Sequence, residues 1–240
     1  MKRIVFSAMA ACVMISSCAI AQTGTGLSKK EKKEGWTLLF DGKTLNGWHQ
    51  YHVKPGSTNA WKVQDGALFL DTDAKKDGAA SGDLVTDGDY ENYELVYEWK
   101  ISPNGNSGLI FGVNEDPKYH ATYSTGPEMQ VIDDAGHPDG KNKKHNSGEL
   151  YDMIAAPGSY AKPVGEWNVA KLIKNNGKLT MYLNGKKTAE TTMGTPEWQE
   201  LLNNSKFKTW KGFGEYAKGK IALQDHGDKV WYRNLKIRVL

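Results

Sequence analysis

From Tyr93 to Ile101 the chain alternates without a break, with Leu95, Tyr97, Trp99 and Ile101 on one face and Glu94, Val96, Glu98 and Lys100 on the other. A period of two over this length describes a strand with one buried face and excludes a helix there. Shorter runs of the same kind follow along the chain. Asp65-Gly66 leads into Ala67–Leu70, and residues 107–113, Glu128–Ile132, 169–173, 220–224 and Val230–Val239 read as further strands. Residues 179–183 run into Asn184-Gly185, a pair suited to a type I′ hairpin turn. Thr195 followed by Pro196 caps a short helix through Leu202, the one clear helix signal. Many short strands with Gly-rich turns predict an all-β sandwich of two antiparallel sheets, with at most one or two short helices. Such a fold fits one domain over residues 35–240.

The first residues serve a different purpose. Lys2 and Arg3 precede an apolar run from Ile4 to Ile15, too short for a permanent membrane span and laid out like a secretory signal over residues 1–21. Ile15-Ser16-Ser17-Cys18 has the form of a lipobox, with Cys18 as the lipidated residue. Ala19-Ile20-Ala21 offers a competing cleavage site. The expectation is an exported, periplasmic protein attached to the outer membrane through Cys18. Residues 22–34 read as a charged linker. Both cysteines, Cys12 and Cys18, lie in the signal, so the domain has no internal disulfide and depends on its core. Removing Lys2 and Arg3 leaves 29 basic against 28 acidic residues, a balance that gives no electrostatic case for nucleic-acid binding. Eight Trp and eleven Tyr on a Gly-rich chain suit a saccharide surface, because a pyranose ring has an apolar C–H face.

Strand parity picks out candidate site residues. Met129 and Val131 suit the core, which leaves Glu128 and Gln130 side by side on the opposite face. With Ile221 and Leu223 inward, Ala222, Gln224 and His226 share the other face of their strand, and His226 can both take and give a proton near neutral pH. Glu98 and Lys100 lie opposite a core face and could join the same surface or form an ordinary surface ion pair. His145, in a Lys- and Asn-rich loop, is a further candidate. Asp71/Asp73, Asp87/Asp89 and Asp133/Asp134 make acidic turns that could hold a structural Ca²⁺, although none has an EF-hand pattern. No dinucleotide fingerprint, Walker motif, zinc-protease helix or reactive cysteine appears, and no metal ligand is expected among the site residues.

Several segments together resemble the 3-keto-disaccharide hydrolase domain family: residues 36–48, Glu98-Trp99-Lys100, Asn106-Ser107-Gly108, Glu128-Met129-Gln130, Gly165-Glu166-Trp167-Asn168, residues 219–227 and Arg233-Asn234. The resemblance covers essentially the whole domain. It implies a concanavalin A-like jelly roll with a concave sugar-facing sheet and a glycoside-cleaving activity on 3-keto-glucosides. A C3 ketone acidifies the C2 hydrogen; a base removes it, the C1 substituent leaves, and water later adds across the double bond. That route needs a base, an acid and donors for an enolate oxygen. Glu128 and His226 are the expected proton-transfer pair. Gln130, Gln224, Glu98, Lys100, Arg233 and His145 are the expected substrate contacts. One departure stands out: members of the family often place an Arg a few residues after Asn-Ser-Gly, where this chain reads Leu109-Ile110-Phe111-Gly112-Val113. The competing readings are a non-catalytic, lectin-like carbohydrate-binding module and an adhesive surface lipoprotein.

Overall fold

The computed structural model describes residues 26–53 and 59–240. Residues 1–21, read above as a secretory signal, and with them both cysteines, lie outside the described residues. The strands in the first half are β1 (Thr37–Leu38), β2 (Trp48–Gln50), β3 (Trp61–Gln64), β4 (Ala67–Leu70), β5 (Leu84–Thr86), β6 (Tyr93–Ile101), β7 (Asn106–Val113) and β8 (Glu128–Ile132). Those in the second half are β9 (Asn168–Asn175), β10 (Lys178–Leu183), β11 (Lys186–Thr192), β12 (Lys220–Leu223) and β13 (Val230–Val239).

They form two antiparallel sheets. The larger runs β11-β10-β9-β6-β13-β4-β3, with β1 beside β13; the smaller runs β2-β5-β12-β7-β8. The expected sandwich is present. Leu95, Tyr97, Trp99 and Ile101 from β6 meet Leu109 and Phe111 from β7, Met129 and Val131 from β8, and Ile221 and Leu223 from β12 in one buried cluster. Every one of these side chains is at most 2% exposed, so the parity drawn from the sequence sets the core. Asn184 and Gly185 both take positive φ (48° and 78°), which is the hairpin geometry the dipeptide predicts.

Helix is slightly richer than the sequence indicates, with three short α-helices among the described residues. Pro196–Asn203 is the expected one, and the Thr195 hydroxyl accepts from Trp198 N at 3.3 Å. Thr72–Lys76 is held by the Asp71 cap. Lys29–Lys33 lies inside the stretch read as a linker, where Ser28 and Glu31 form a capping box and Glu31 pairs with Lys236 of β13. Local capping turns these five-residue segments into single turns that no hydrophobic periodicity announces.

One further pairing positions the site. β8 ends the smaller sheet, and residues 148–151 run along its free edge. Gly148 N donates to Gln130 O (2.8 Å), Gln130 N to Glu149 O (3.1 Å) and Tyr151 N to Glu128 O (3.0 Å). The edge is covered, and Tyr151 is brought beside Glu128.

Candidate active site

The outer face of the smaller sheet carries a cleft of about 480 Å³. Its floor is made of Asn106, Glu128, Gln130 and Gln224. Tyr123, Tyr151, Phe207 and Trp210 form an aromatic wall, and Lys206 and His226 stand at the edges. The 3-10 turn Lys206–Thr209, capped by Ser205, supplies the wall's cation and Phe207, whose ring meets Trp210 edge-on at 5.1 Å.

The Asn106-Ser107-Gly108 segment explains the floor. Asn106 lines the cleft. Ser107 points inward, where its hydroxyl donates to Gln224 O (2.7 Å) and pairs with the Tyr232 hydroxyl (2.8 Å), locking β7 to the end of β12. Gly108 leaves room for the acid. A Cβ there would lie 2.5 Å from Glu128 Cδ and 2.7 Å from its Cγ, and closer still to Oε1. A side chain at position 108 and the observed Glu128 conformation are mutually exclusive.

Glu128 is 7% exposed, and no protein group among the described residues hydrogen-bonds its carboxyl. Burial pushes its pKa up to about 8. Nearby Asp83 and Asp139 act in the same direction, and Lys206 opposes them. A carboxyl that is neither paired nor bonded is costly to hold ionised, so its proton is retained near neutral pH. Asp83, also on the cleft, is raised to about 6 by burial, against the hydrogen bonds from Thr122 and Asp225 N. The neighbouring Asp225 carboxylate is fully engaged by Lys75 Nζ (2.7 Å), Gly82 N (2.9 Å) and Gly227 N (3.0 Å). Gln130 spends its Oε1 on Val131 N at 3.0 Å.

Behind the aromatic wall runs a chain of ionisable groups. The Tyr151 hydroxyl donates to Asp139 Oδ2 (3.0 Å), and Asp139 Oδ1 faces His145 Nδ1 (2.8 Å). His145 Nε2 faces Asp152 Oδ1 (2.9 Å), and Asp152 Oδ2 accepts from Lys206 N (2.6 Å). His145 is therefore placed behind Tyr151 rather than on the cleft surface, and its two carboxylate partners fix the position of the wall.

Four expected site residues meet in this cleft: Glu128, Gln130, Gln224 and His226. Glu98, Lys100 and Arg233 do not. Parity correctly sends Glu98 and Lys100 away from the core, but β6 belongs to the larger sheet, so they emerge on the opposite side of the molecule. A bulge between Arg233 and Lys236 lets both Arg233 Nε (2.8 Å) and Asn234 Nδ2 (2.7 Å) reach Glu98. Lys100 sits 4.5 Å from the Trp231 ring centre, and Arg233 4.0 Å from that of Trp167. These charges are already neutralised by one another or stacked on indole, unlike the bare carboxyl of Glu128. A second hollow of about 140 Å³ on that side, lined by Glu31 and Glu98, holds only ion-paired acids.

The acidic turns offer no calcium cage. Asp71 caps a helix, Asp73 binds Lys76 and Lys229, Asp87 binds His49, and Asp89 pairs with Lys220. Asp133 accepts from the amides of Asn104, Ala135 and Gly136, and Asp134 from Ser147 N. In the segment after Asn-Ser-Gly, Ile110 and Val113 pack with Tyr51, Val85 and Ala222. The cleft's lysine is instead Lys206, on the facing wall. Sequence reasoning missed Lys206, Tyr151, Trp210 and Asp83, which lie in loops without periodicity and approach the floor only through the fold.

Residues 35–238 match the family model described as a 3-keto-alpha-glucoside-1,2-lyase-like domain. A Bacteroides thetaiotaomicron protein named 3-keto-disaccharide hydrolase is 37% identical over 231 aligned positions, covering 86% of this chain and 79% of that one. A crystal structure of a candidate glycosyl hydrolase from Parabacteroides distasonis superposes with a TM-score of 0.82 at 34% identity, covering 90% of this chain and 99% of that one. A Bacillus subtilis protein with a galectin-like fold aligns with a TM-score of 0.53 at 14% identity, over 81% of this chain and 90% of that one, a likeness of fold alone.

Proposed function

The chain belongs to the 3-keto-alpha-glucoside-1,2-lyase-like family, and from that premise we propose that it is a glycoside-cleaving enzyme acting on 3-keto-glucosides, with Glu128 as the group that removes the C2 hydrogen. The observation that carries the reading is the unpaired, buried Glu128 carboxyl on the floor of an aromatic-walled cleft, with its pKa pushed up to about 8. A carboxylate of that basicity is a far stronger base toward carbon than an exposed one, and half of it is ionised near pH 8. An inert binding surface would have no use for so costly a group, which counts against the lectin-like alternative.

The steps follow from the chemistry of the ketone. Trp210 and Tyr123 face the apolar side of the sugar ring. Ionised Glu128 takes the C2 proton, and the C–H electron pair moves into the enolate of the C3 ketone. Lys206 and the free amide donor of Gln130 stabilise the oxyanion as it forms. The enolate expels the C1 oxygen, which leaves toward the open rim at His226 and is protonated there. Addition of water to the resulting double bond would complete a net hydrolysis. No covalent nucleophile is required, and no second carboxylate has to sit at a fixed glycosidase separation. Export and the Cys18 anchor, which lie outside the described residues, remain part of the proposal.

The test is turnover of an aryl 3-keto-glucoside beside its unoxidised parent. Aryl release is expected from the ketone alone, several-fold slower when C2 carries deuterium, with kcat/KM rising through about pH 8. Lys206→Met should lower kcat by about 100-fold if the ammonium meets the enolate. Equal cleavage of the parent, or release from neither compound by folded protein, would overturn the reading.

A further inference from the structure

Beside the cleft, a ring nitrogen of His137, a ring nitrogen of His226 and a carboxylate oxygen of Asp228 all lie within 4.8 Å of one another. The three come from two loops far apart in sequence, one after β8 and one after β12. The His137 and His226 rings meet edge-on with centroids 5.9 Å apart. We propose that His137, His226 and Asp228 bind a divalent transition-metal ion at the rim of the cleft.

Three features support a built site. The donor set is two imidazoles and one carboxylate, the combination that suits zinc, cobalt, manganese or ferrous iron while leaving coordination positions open. The carboxylate is oriented from behind, since Asn106 N donates to Asp228 Oδ2 at 3.0 Å, a second-layer contact of the kind that fixes metal ligands. Asn106 itself is 4% exposed and lines the cleft alongside His226, yet its side-chain Oδ1 has no hydrogen-bond partner among the described residues. A buried amide oxygen without a partner is a vacant acceptor, and a water or substrate hydroxyl on the ion would fill it.

The other histidines set with acids differ. His49 has both ring nitrogens in carboxylate contacts, to Asp87 (2.6 Å) and Glu115 (2.9 Å), and His145 is clamped in the same way between Asp139 and Asp152. His226 is exposed and has no such contact among the described residues. His137 Nδ1 accepts from Asp139 N at 3.1 Å, so ligation through either ring nitrogen gives up that one part-buried hydrogen bond, a small loss beside a nitrogen–metal bond.

The ion site does not depend on the proposed reaction, but the two fit. A 2-hydroxy-3-ketone offers adjacent oxygens that can chelate one ion, and the ion would add to Lys206 in stabilising the enolate. His226 would then act as a ligand, and the departing C1 oxygen would take its proton from solvent at the open rim.

The experiment is calorimetric titration of untagged, chelator-stripped protein with Zn²⁺, and with Co²⁺ followed by its visible absorption. One ion per chain is expected, with Co²⁺ bands of low-symmetry nitrogen/oxygen coordination. His226→Ala and His137→Ala should each weaken binding at least 100-fold. Glu128→Gln, which removes the acid and not the ligands, should bind as the wild type does. Absence of stoichiometric binding, or binding of equal strength in both histidine variants, would overturn the site. Because the readout is binding, a failure here is distinguishable from a failure of the 3-keto-glucoside assay.

Discussion

Glu128→Gln should cut turnover sharply and at the same time make the fold more resistant to alkali. The carboxyl has a pKa near 8 in the folded chain against 4.5 for the free side chain. Between those values the folded state holds a proton that the unfolded state has released, so stability falls as pH rises from about 4.5 and levels off above about 8. Taken from pH 5 to pH 9, this one group costs the wild type about 4 kcal/mol. Gln has nearly the same shape, does not titrate, and escapes that loss. For a domain of about 200 residues the difference corresponds to a melting temperature some 10 °C higher for the variant than for the wild type at pH 9, shrinking toward zero at pH 5. Thermal unfolding of both proteins by circular dichroism across this range measures it directly. Turnover of a 3-keto-glucoside should drop at least 100-fold in the same variant. Parallel stability curves would refute the reasoning, since they would mean that Glu128 does not hold its proton through burial.

Gly108→Ala tests the geometry of the floor. Its φ is not in the left-handed region, so the backbone accepts alanine, but the carboxyl must shift by about 1 Å; kcat/KM should fall roughly 100-fold while the melting temperature drops only a few degrees. Activity within threefold of wild type would show that the acid works from another position. For the anchor, labelled palmitate should enter the wild-type chain expressed in a lipoprotein-competent bacterium and be absent from Cys18→Ser. Equal labelling of the two would remove Cys18 as the attachment point.

Much of the molecule was legible before any coordinates. Period-two patterning placed β6 over its full length, set Met129 and Val131 against Glu128 and Gln130, and separated Ile221 and Leu223 from Gln224, because a strand's pleat assigns side chains to faces by residue number alone. Asn184-Gly185 announced its hairpin for a similarly local reason, as positive φ at both positions selects those residues. Parity says which face a side chain takes but not which sheet owns the strand. Glu98 and Glu128 are both outward acids next to an inward apolar partner, and both sit in segments that resemble the same family. The pairing of β6 with β13 and of β8 with β7 sends them to opposite sides, and there Glu98 finds Arg233 and Asn234 whereas Glu128 finds no partner among the described residues. The alternation at Tyr93–Ile101 therefore determined a sandwich and its core. The burial of Glu128 without a partner among the described residues, the arrival of Lys206 and Tyr151 from distant loops, and the meeting of His137 with His226 were decided by tertiary structure, because burial and charge pairing depend on neighbours in space, which sequence spacing does not encode.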